Sequence, residues 1–525
     1  MTSLPMRASK LLDAHGNRMQ FPIKPNPHRL SDMPRTGIDA AADSRHTDKH
    51  FTDATGQPLS NVLAQDLDTV RKRLRYEVPN NGDATGMVDT LATAIVGIGP
   101  SLQVYTGNSD LDAAVEDEFS AYADDCDFVE PNQSLAELLA QGIRDDCLAG
   151  EDFLSPTTDP DFTGAVKLRL QGIAPELVST PWSRINDSRV RNGIEFDERG
   201  KKIRYWVAGA HPRDSQAKFA DISAWRAVDV RDMIHSFIRL EAGQHRGYPW
   251  FAPALPEMAA TRRWVLAVLS AAETAADVSF VLQTTLATLD EPVKIDEMDV
   301  IHWARNAGLT LPAGWEAHQF KAEQPQATHK DFIRERLRSM GRPLGMPYNV
   351  AAADSTGLNF ASGRLDQQLF YVAILVKRSW LARRKLKPIF RRWLGEASLA
   401  IPALRPLAGL NLDRIARTAE WYWRSPQIHG DPLKESKAIT EQLHNGSKTF
   451  IDVCSEAGLD WQVQLQKKHK VDIYKLTLAA ELKAATAESG LTPDEAAAAL
   501  ASDPADLSNL PPDEMGASDN ATNAA

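Results

Sequence analysis

Few residues are placed to do chemistry, and most of those fail on spacing. Gly446-Ser447-Lys448-Thr449 looks like the end of a phosphate-binding loop. Such a loop needs the lysine directly after its glycine, another glycine five residues earlier, and an apolar strand leading in, so that backbone N–H groups converge on phosphate. Here Ser447 intervenes, Glu441 stands where that earlier glycine should be, and no strand pattern precedes. A helix start capped by Ser447 is expected instead. Gly97-Ile98-Gly99 lacks the third glycine of a dinucleotide fingerprint and follows a helical pattern, not a strand. No Gly-x-Ser-x-Gly elbow occurs.

Side chains that could hold a metal are equally scattered. His235, in the apolar pattern Ile234 to Phe237, reads as a hydrogen-bonded core or sheet-end histidine. His302 and His318 read as surface positions. The pairs Asp124-Asp125 and Asp145-Asp146 fall on helical patterns, where a solvated face explains them better than a cation site. Cys126, Cys147 and Cys454 are far apart and odd in number, so neither a disulfide framework nor a zinc site is expected. No catalytic residue, cofactor or metal site can be assigned, and the chain is expected not to be an enzyme.

The elements are more legible. Residues 1–60 are polar and proline-punctuated, the pattern of a partly disordered arm. Leu63, Leu67, Val70 and Leu74 then recur at helical spacing, and a second helix over residues 86–96 should stop at Gly97. Ser134 and Glu137 have capping-box spacing ahead of Leu135, Leu138, Leu139 and Ile143. Val166, Leu168 and Leu170 alternate with Lys167 and Arg169 as in a half-buried strand. Ile194/Phe196 and Ile203/Tyr205/Val207 flank the turn Asp197-Glu198-Arg199-Gly200, a hairpin, and residues 233–238 give a further strand. After Pro256 an alanine-rich helix runs to about Leu286. An irregular stretch over residues 287–325 follows, then a helix over residues 329–340, a small-residue loop from Gly345 to Gly363, and a long helix to about Leu394. Residues 431–483 suggest two or three short helices, and residues 484–525 hold eight acids and no basic residue, the composition of a disordered tail.

Charge bears on partners. The net charge is -11, opposite to that of a protein that grips nucleic acid by neutralising phosphates. The basic run from Lys377 to Arg392 is the obvious DNA candidate. Val372, Leu375, Trp380, Leu381, Leu386 and Phe390 interleave with it, so a helix packed on one side with its cations paired to acids is favoured. The most apolar helical stretch, residues 264–272, is too short to span a bilayer, and Met1 to Lys10 has no signal-peptide core, so no membrane association is expected.

Several separated blocks, in order, resemble the lambda-type bacteriophage portal proteins. They are Arg71-Lys72-Arg73-Leu74-Arg75, Asn80-Asn81, Val96 to Gly99, Gly150 to Phe153 and Gly193 to Asp197. The most specific are Ile234 to Phe237 followed by Gly243 to Pro249, then Leu344 to Tyr348, Asn359 to Arg364, and Asp431 to Lys434. One departure is Phe360-Ala361-Ser362-Gly363-Arg364, where the family usually carries Tyr-Ser-Ser before a small residue and arginine.

The resemblance implies an α+β portal fold and a ring of about twelve subunits at one capsid vertex. Double-stranded DNA would pass through it without sequence preference during packaging and ejection. Implied partners are the large terminase subunit, a head-tail connector or adaptor, and the major capsid protein or scaffold. Implied location is the virion, after assembly in the bacterial host cytoplasm. By block order the divisions are wing over residues 61–245, stem helices over 246–286 and 328–344, and clip over 287–327. The tunnel loop takes 345–363, a long wing or tunnel helix with its connection 364–430, and the crown 431–483. Small or polar loop residues, Ala351, Asp354, Ser355, Thr356 and Asn359, would face passing DNA, although polar loops between helices often look like this. Trp303, Trp315 and Phe320 would be clip contacts, and local core packing accounts for them equally well. Another ring-forming head-tail adaptor, or an enzyme of the packaging machinery, is the alternative.

Overall fold

Apolar residues three and four apart build the first layer. In this computed structural model, the described residues are 56–211, 213–218, 223–277, 281–284, 315–318, 329–357, 359–424 and 432–489. Helix α1 (Leu59–Glu77) buries Leu63, Leu67 and Leu74. Helix α2 (Gly82–Val96) buries Met87, Leu91 and Ile95, and ends where Gly97 takes φ 60°, a conformation that costs a residue without Cβ nothing. The short β1 (Ser101–Gln103) leads to α3 (Ser109–Asp124). Helix α4 (Leu135–Leu148) starts at the expected capping box, Ser134 and Glu137 each satisfying the other's backbone N–H.

Two antiparallel sheets follow. β2 (Glu151–Thr158) lies between β3 (Leu168–Ile173) and β8 (Ile234–Phe237). β4 (Val190–Arg191), β5 (Ile194–Phe196), β6 (Lys202–Ala208) and β7 (Trp225–Asp229) form the second sheet in sequence order, with the expected hairpin between β5 and β6. Val166 falls outside β3, and Arg169 does not face water as strict alternation required. It is buried, its guanidinium 2.8 Å from Asp125 and stacked over the Phe162 ring.

Helix α5 (Leu255–Asp277) is shorter than expected, because residues 281–284 form β9 (Val281–Thr284). β9 pairs antiparallel with β10 (Trp315–His318), Thr284 opposite Trp315, so the stretch read as irregular contains a strand. Then come α6 (His329–Gly341), α7 (Tyr348–Ala351) and α8 (Phe360–Leu381). A π-helical turn at Ala382–Leu386 joins α8 to α9 (Lys387–Ala400), and α10 (Leu412–Thr418) follows. β11 (Glu420–Tyr422) returns to pair with β1, Trp421 opposite Leu102. Three helices complete the described chain: α11 (Pro432–His444), α12 (Phe450–Glu456) and α13 (Trp461–Ser489). The last is long rather than short and runs past residue 484, where a disordered tail was expected to begin.

One core joins the helices from α1 to α10. Phe119 of α3 packs against Phe390 and Trp393 of α9 and against Trp421, with ring centroids 5.1 to 5.6 Å apart. A second, smaller core around Phe153, Ile194 and Tyr205 fills the space between the sheets. The cap of α12 is Thr449, not Ser447: its hydroxyl accepts from Asp452 N–H, and the Asp452 carboxylate accepts from Thr449 N–H. Lys448 pairs with Glu456 at 2.7 Å and serves the helix surface.

Candidate functional site

The loop between α6 and α8 is anchored at both ends and open in the middle. Lys377 of α8 donates to Leu344 O at 2.8 Å, and Arg334 of α6 lies over the Tyr348 ring at 4.8 Å. Tyr348 donates from its hydroxyl to Asp354 at 3.0 Å, and the same carboxylate accepts from Thr356 N–H at 2.8 Å. Those bonds hold the Asp354 carboxyl down at about 2, so it stays an anion. Asn359 caps α8, accepting from Ser362 N–H at 2.8 Å. Of the five predicted loop residues, Ser355, Thr356 and Asn359 are exposed and Asp354 partly so. Ala351 is buried in the last turn of α7, against Gly341, and cannot present its methyl to a ligand. The loop is therefore shorter than residues 345–363, since α7 occupies its first part. Trp303 and Phe320 lie outside the described residues; Trp315 is placed only as the first residue of β10.

Helices α8 and α5 carry apolar faces that no described residue covers. On α8, Leu365 (58% exposed), Leu369 (65%), Val372 (59%) and Val376 (44%) follow the i, i+4, i+7, i+11 spacing of one helical face. Val372 was expected to pack inward, with Leu375, which is also exposed. On α5, Trp264, Val265, Leu266 and Leu269 are exposed as well. Monomeric soluble proteins rarely leave such contiguous apolar area open, and patches of this kind mark association surfaces.

Two buried charge clusters hold the two-sheet region and the basic helix in place. Glu151, fully buried at the start of β2, receives Arg71 Nη2 and Arg246 Nε at 2.6 Å on one oxygen. Its other oxygen receives His235 Nε2 and Gly247 N–H at 2.9 Å. Burial alone would raise this carboxyl, but Arg246 and Arg71 hold it well below the ordinary range. His235 is neutral, because burial and the neighbouring Lys202 push it down to about 3. Its Nε2–H donates to Glu151, which leaves Nδ1 to accept from Lys202 and Tyr205 at 3.1 and 3.3 Å. The histidine is the satisfied core residue that its strand position implied.

The second cluster corrects a sequence expectation. Asp146 is buried rather than on a solvated helix face, and Lys385 of the π turn is fully buried beside it, 2.5 Å from Asp152. Burial keeps Asp146 well above its usual range, while Asp152 and Asp146 hold Lys385 up despite its burial. The inserted residue of a π turn re-aims the following side chains, and it is here that the basic run turns one cation inward. Other cations of that run are likewise satisfied: Arg378 donates to the carbonyls of Ile95 and Ala94, Arg391 pairs with Asp413 at 2.7 Å, and Arg392 pairs with Asp232. The helix is packed on one side, as its interleaved apolar residues suggested, but among the described residues only Lys385, Arg391 and Arg392 of the run pair with acids. Among the described residues there is no group of three or more His, Cys, Asp or Glu side chains set to hold a metal ion, and no helix long and apolar enough to cross a membrane.

This fold, mixed antiparallel sheets with long helices around an interrupted helical connection, agrees with the family comparison. Residues 46–377 match the model of "Phage portal protein, lambda family", and the chain belongs to that family. Its function is that of a phage portal, a structural part of the virion, and the alternative readings as an adaptor or a packaging enzyme give way. The chain is 24% identical over 423 residues to a probable portal protein of Halomonas phage phiHAP-1, covering 76% of this chain and 79% of that one. It is 22% identical over 378 residues to portal protein B of Escherichia phage lambda, covering 66% and 71%. Among solved structures, a chain in the neck of an empty GTA particle is similar at 15% identity and TM-score 0.45, covering 75% of this chain and 94% of that one.

Proposed function

We propose that about twelve copies of this chain close into a ring at one capsid vertex, with double-stranded DNA moving through it in packaging and ejection. The observation that carries the ring is the uncovered apolar face of α8, joined by that of α5. A face of this kind is buried by a neighbouring copy, and repeating one heterologous contact around an axis closes a ring. In this reading residues 61–245 and 364–430 form the wing and tunnel helix, and 246–286 and 328–344 the stem. Residues 287–327 form the clip, with Trp303, Trp315 and Phe320 as contacts for the large terminase subunit or the head-tail connector, and 431–483 form the crown. The major capsid protein or scaffold meets the wing, and assembly takes place in the host cytoplasm.

The loop supports a sliding contact. Ser355, Thr356 and Gly357 are exposed and uncharged, and Asp354 is a fixed anion. Twelve copies at -11 give a ring of roughly -130, which repels a polyanion and leaves it free to move. Native mass spectrometry tests the assembly: the wild type should give closed rings of about twelve, and Leu369→Asp with Val372→Asp should give monomers with an unchanged circular dichroism spectrum. A stable wild-type monomer at micromolar concentration refutes the reading.

A further inference from the structure

A groove of about 1460 Å³ opens between β2, the link from β7 to β8, α9 and α10. Six basic and four acidic side chains line it. Arg391 and Arg392 are neutralised by Asp413 and Asp232. Arg231, Arg383, Lys387 and Arg417 are not: among the described residues none has a carboxylate within ion-pair distance, and all four are exposed or partly so. Lys387 donates only to the Arg417 carbonyl, at 2.7 Å. Leu399, 76% exposed, adds an apolar spot to the wall. The volume equals roughly 15 Å of a helix 11 Å across, so it suits one segment of chain.

We propose that this groove holds the acidic C-terminal segment of the chain, residues 490–525, from the same copy or a neighbouring one. That segment has seven acids, no basic residue, and leucines at 491, 500, 507 and 510 that suit Leu399. Extended, its 36 residues span up to ~120 Å from Ser489. The chemistry is four unpaired cations meeting a polyanionic segment. The consequence is that the cations are masked from DNA, which would otherwise stick to them.

Zero-length carbodiimide coupling on full-length protein, read by mass spectrometry, tests the placement, because Lys387 is the one lysine of the groove. Amide links should form between Lys387 and Asp503, Asp506, Asp513 or Glu514 at 50 mM salt. They should fall at least tenfold at 0.5 M, where exposed charges are screened within a few ångströms. Links from the segment to other lysines but not to Lys387 overturn the proposal, as do links from Lys387 to another segment of a neighbouring copy. A second arm uses full-length protein whose seven acids in 490–525 are changed to their amides. Its affinity for a short DNA duplex should rise at least tenfold, and Arg383→Ser with Arg417→Ser should reverse the gain. Unchanged duplex affinity, or a duplex that already occupies the groove in the unmodified protein, sinks the idea. Ring formation is scored in parallel, so failure to assemble is distinguished from an empty groove.

Discussion

Changing Glu151 to Gln should unfold the region around the two sheets, and the geometry says by how much. The carboxylate takes two guanidinium donors on one oxygen, and an imidazole N–H with a backbone N–H on the other. A glutamine presents one oxygen and one NH2 group, so either orientation sets NH2 against two donors. It also strands the charges of Arg71 and Arg246, which are both buried. Removing one partner of a buried ion pair costs about 3–5 kcal/mol, and here two pairs share the partner. The expected loss is about 4 kcal/mol or more, read as a lower urea midpoint of the first unfolding transition at unchanged slope. Adding Arg71→Met to Glu151→Gln should recover part of it, since one stranded charge is gone. The sign with pH follows from the depressed carboxyl. Its contribution is present above the unfolded carboxylate range and is lost as pH falls toward the folded value, so variant and wild type should converge in acid. A Glu151→Gln protein within about 0.5 kcal/mol of wild type at neutral pH would refute this account of the cluster.

Three further outcomes are expected. A Cβ on Gly142 would stand 2.3 Å from Lys385 Nζ and 3.0 Å from the Asp152 carboxyl, so Gly142→Ala should destabilise by about 2 kcal/mol or more; a melting temperature equal to wild type would count against a tight Lys385 seat. Burial, with Asp460 and Asp112 nearby, pushes Glu116 up to about 8. A raised folded value means stability present at acid pH and lost as pH climbs toward 8, so Glu116→Gln should flatten the melting-temperature profile between about pH 5 and 8; parallel profiles would show that Glu116 is not the source. In the loop, Thr356→Lys adds a cation at each exposed tip without touching the Asn359 cap, and should slow DNA packaging into procapsids while rings still form; normal filling would reduce the loop to a connector.

What the sequence determined by itself is whatever depends on neighbours in the chain. The Ser134/Glu137 capping box, the faces of α1 and α2 and the β5–β6 hairpin rest on interactions within a few residues, so period and turn chemistry sufficed. The family was legible for the same reason: its blocks are short and keep their order. Tertiary structure decided which charges are inside. Arg169 reads as the solvent-facing member of an alternating strand, and Asp146 as half of an exposed acidic pair, yet both are buried because their partners arrive from elsewhere. Asp125 reaches Arg169 from 44 residues away, and Lys385 comes to Asp146 from the π turn in the middle of the basic run. Glu151 drew notice only as part of a family block. Its weight comes from Arg71 and Arg246, 80 and 95 residues away, and no local pattern records such a meeting. The π turn was invisible too, because one inserted residue leaves composition and hydrophobic period almost unchanged while re-aiming Lys385 into the core. The same holds for α8: Val372 and Leu375 read as packed inward, and only the folded chain shows that no described residue covers them.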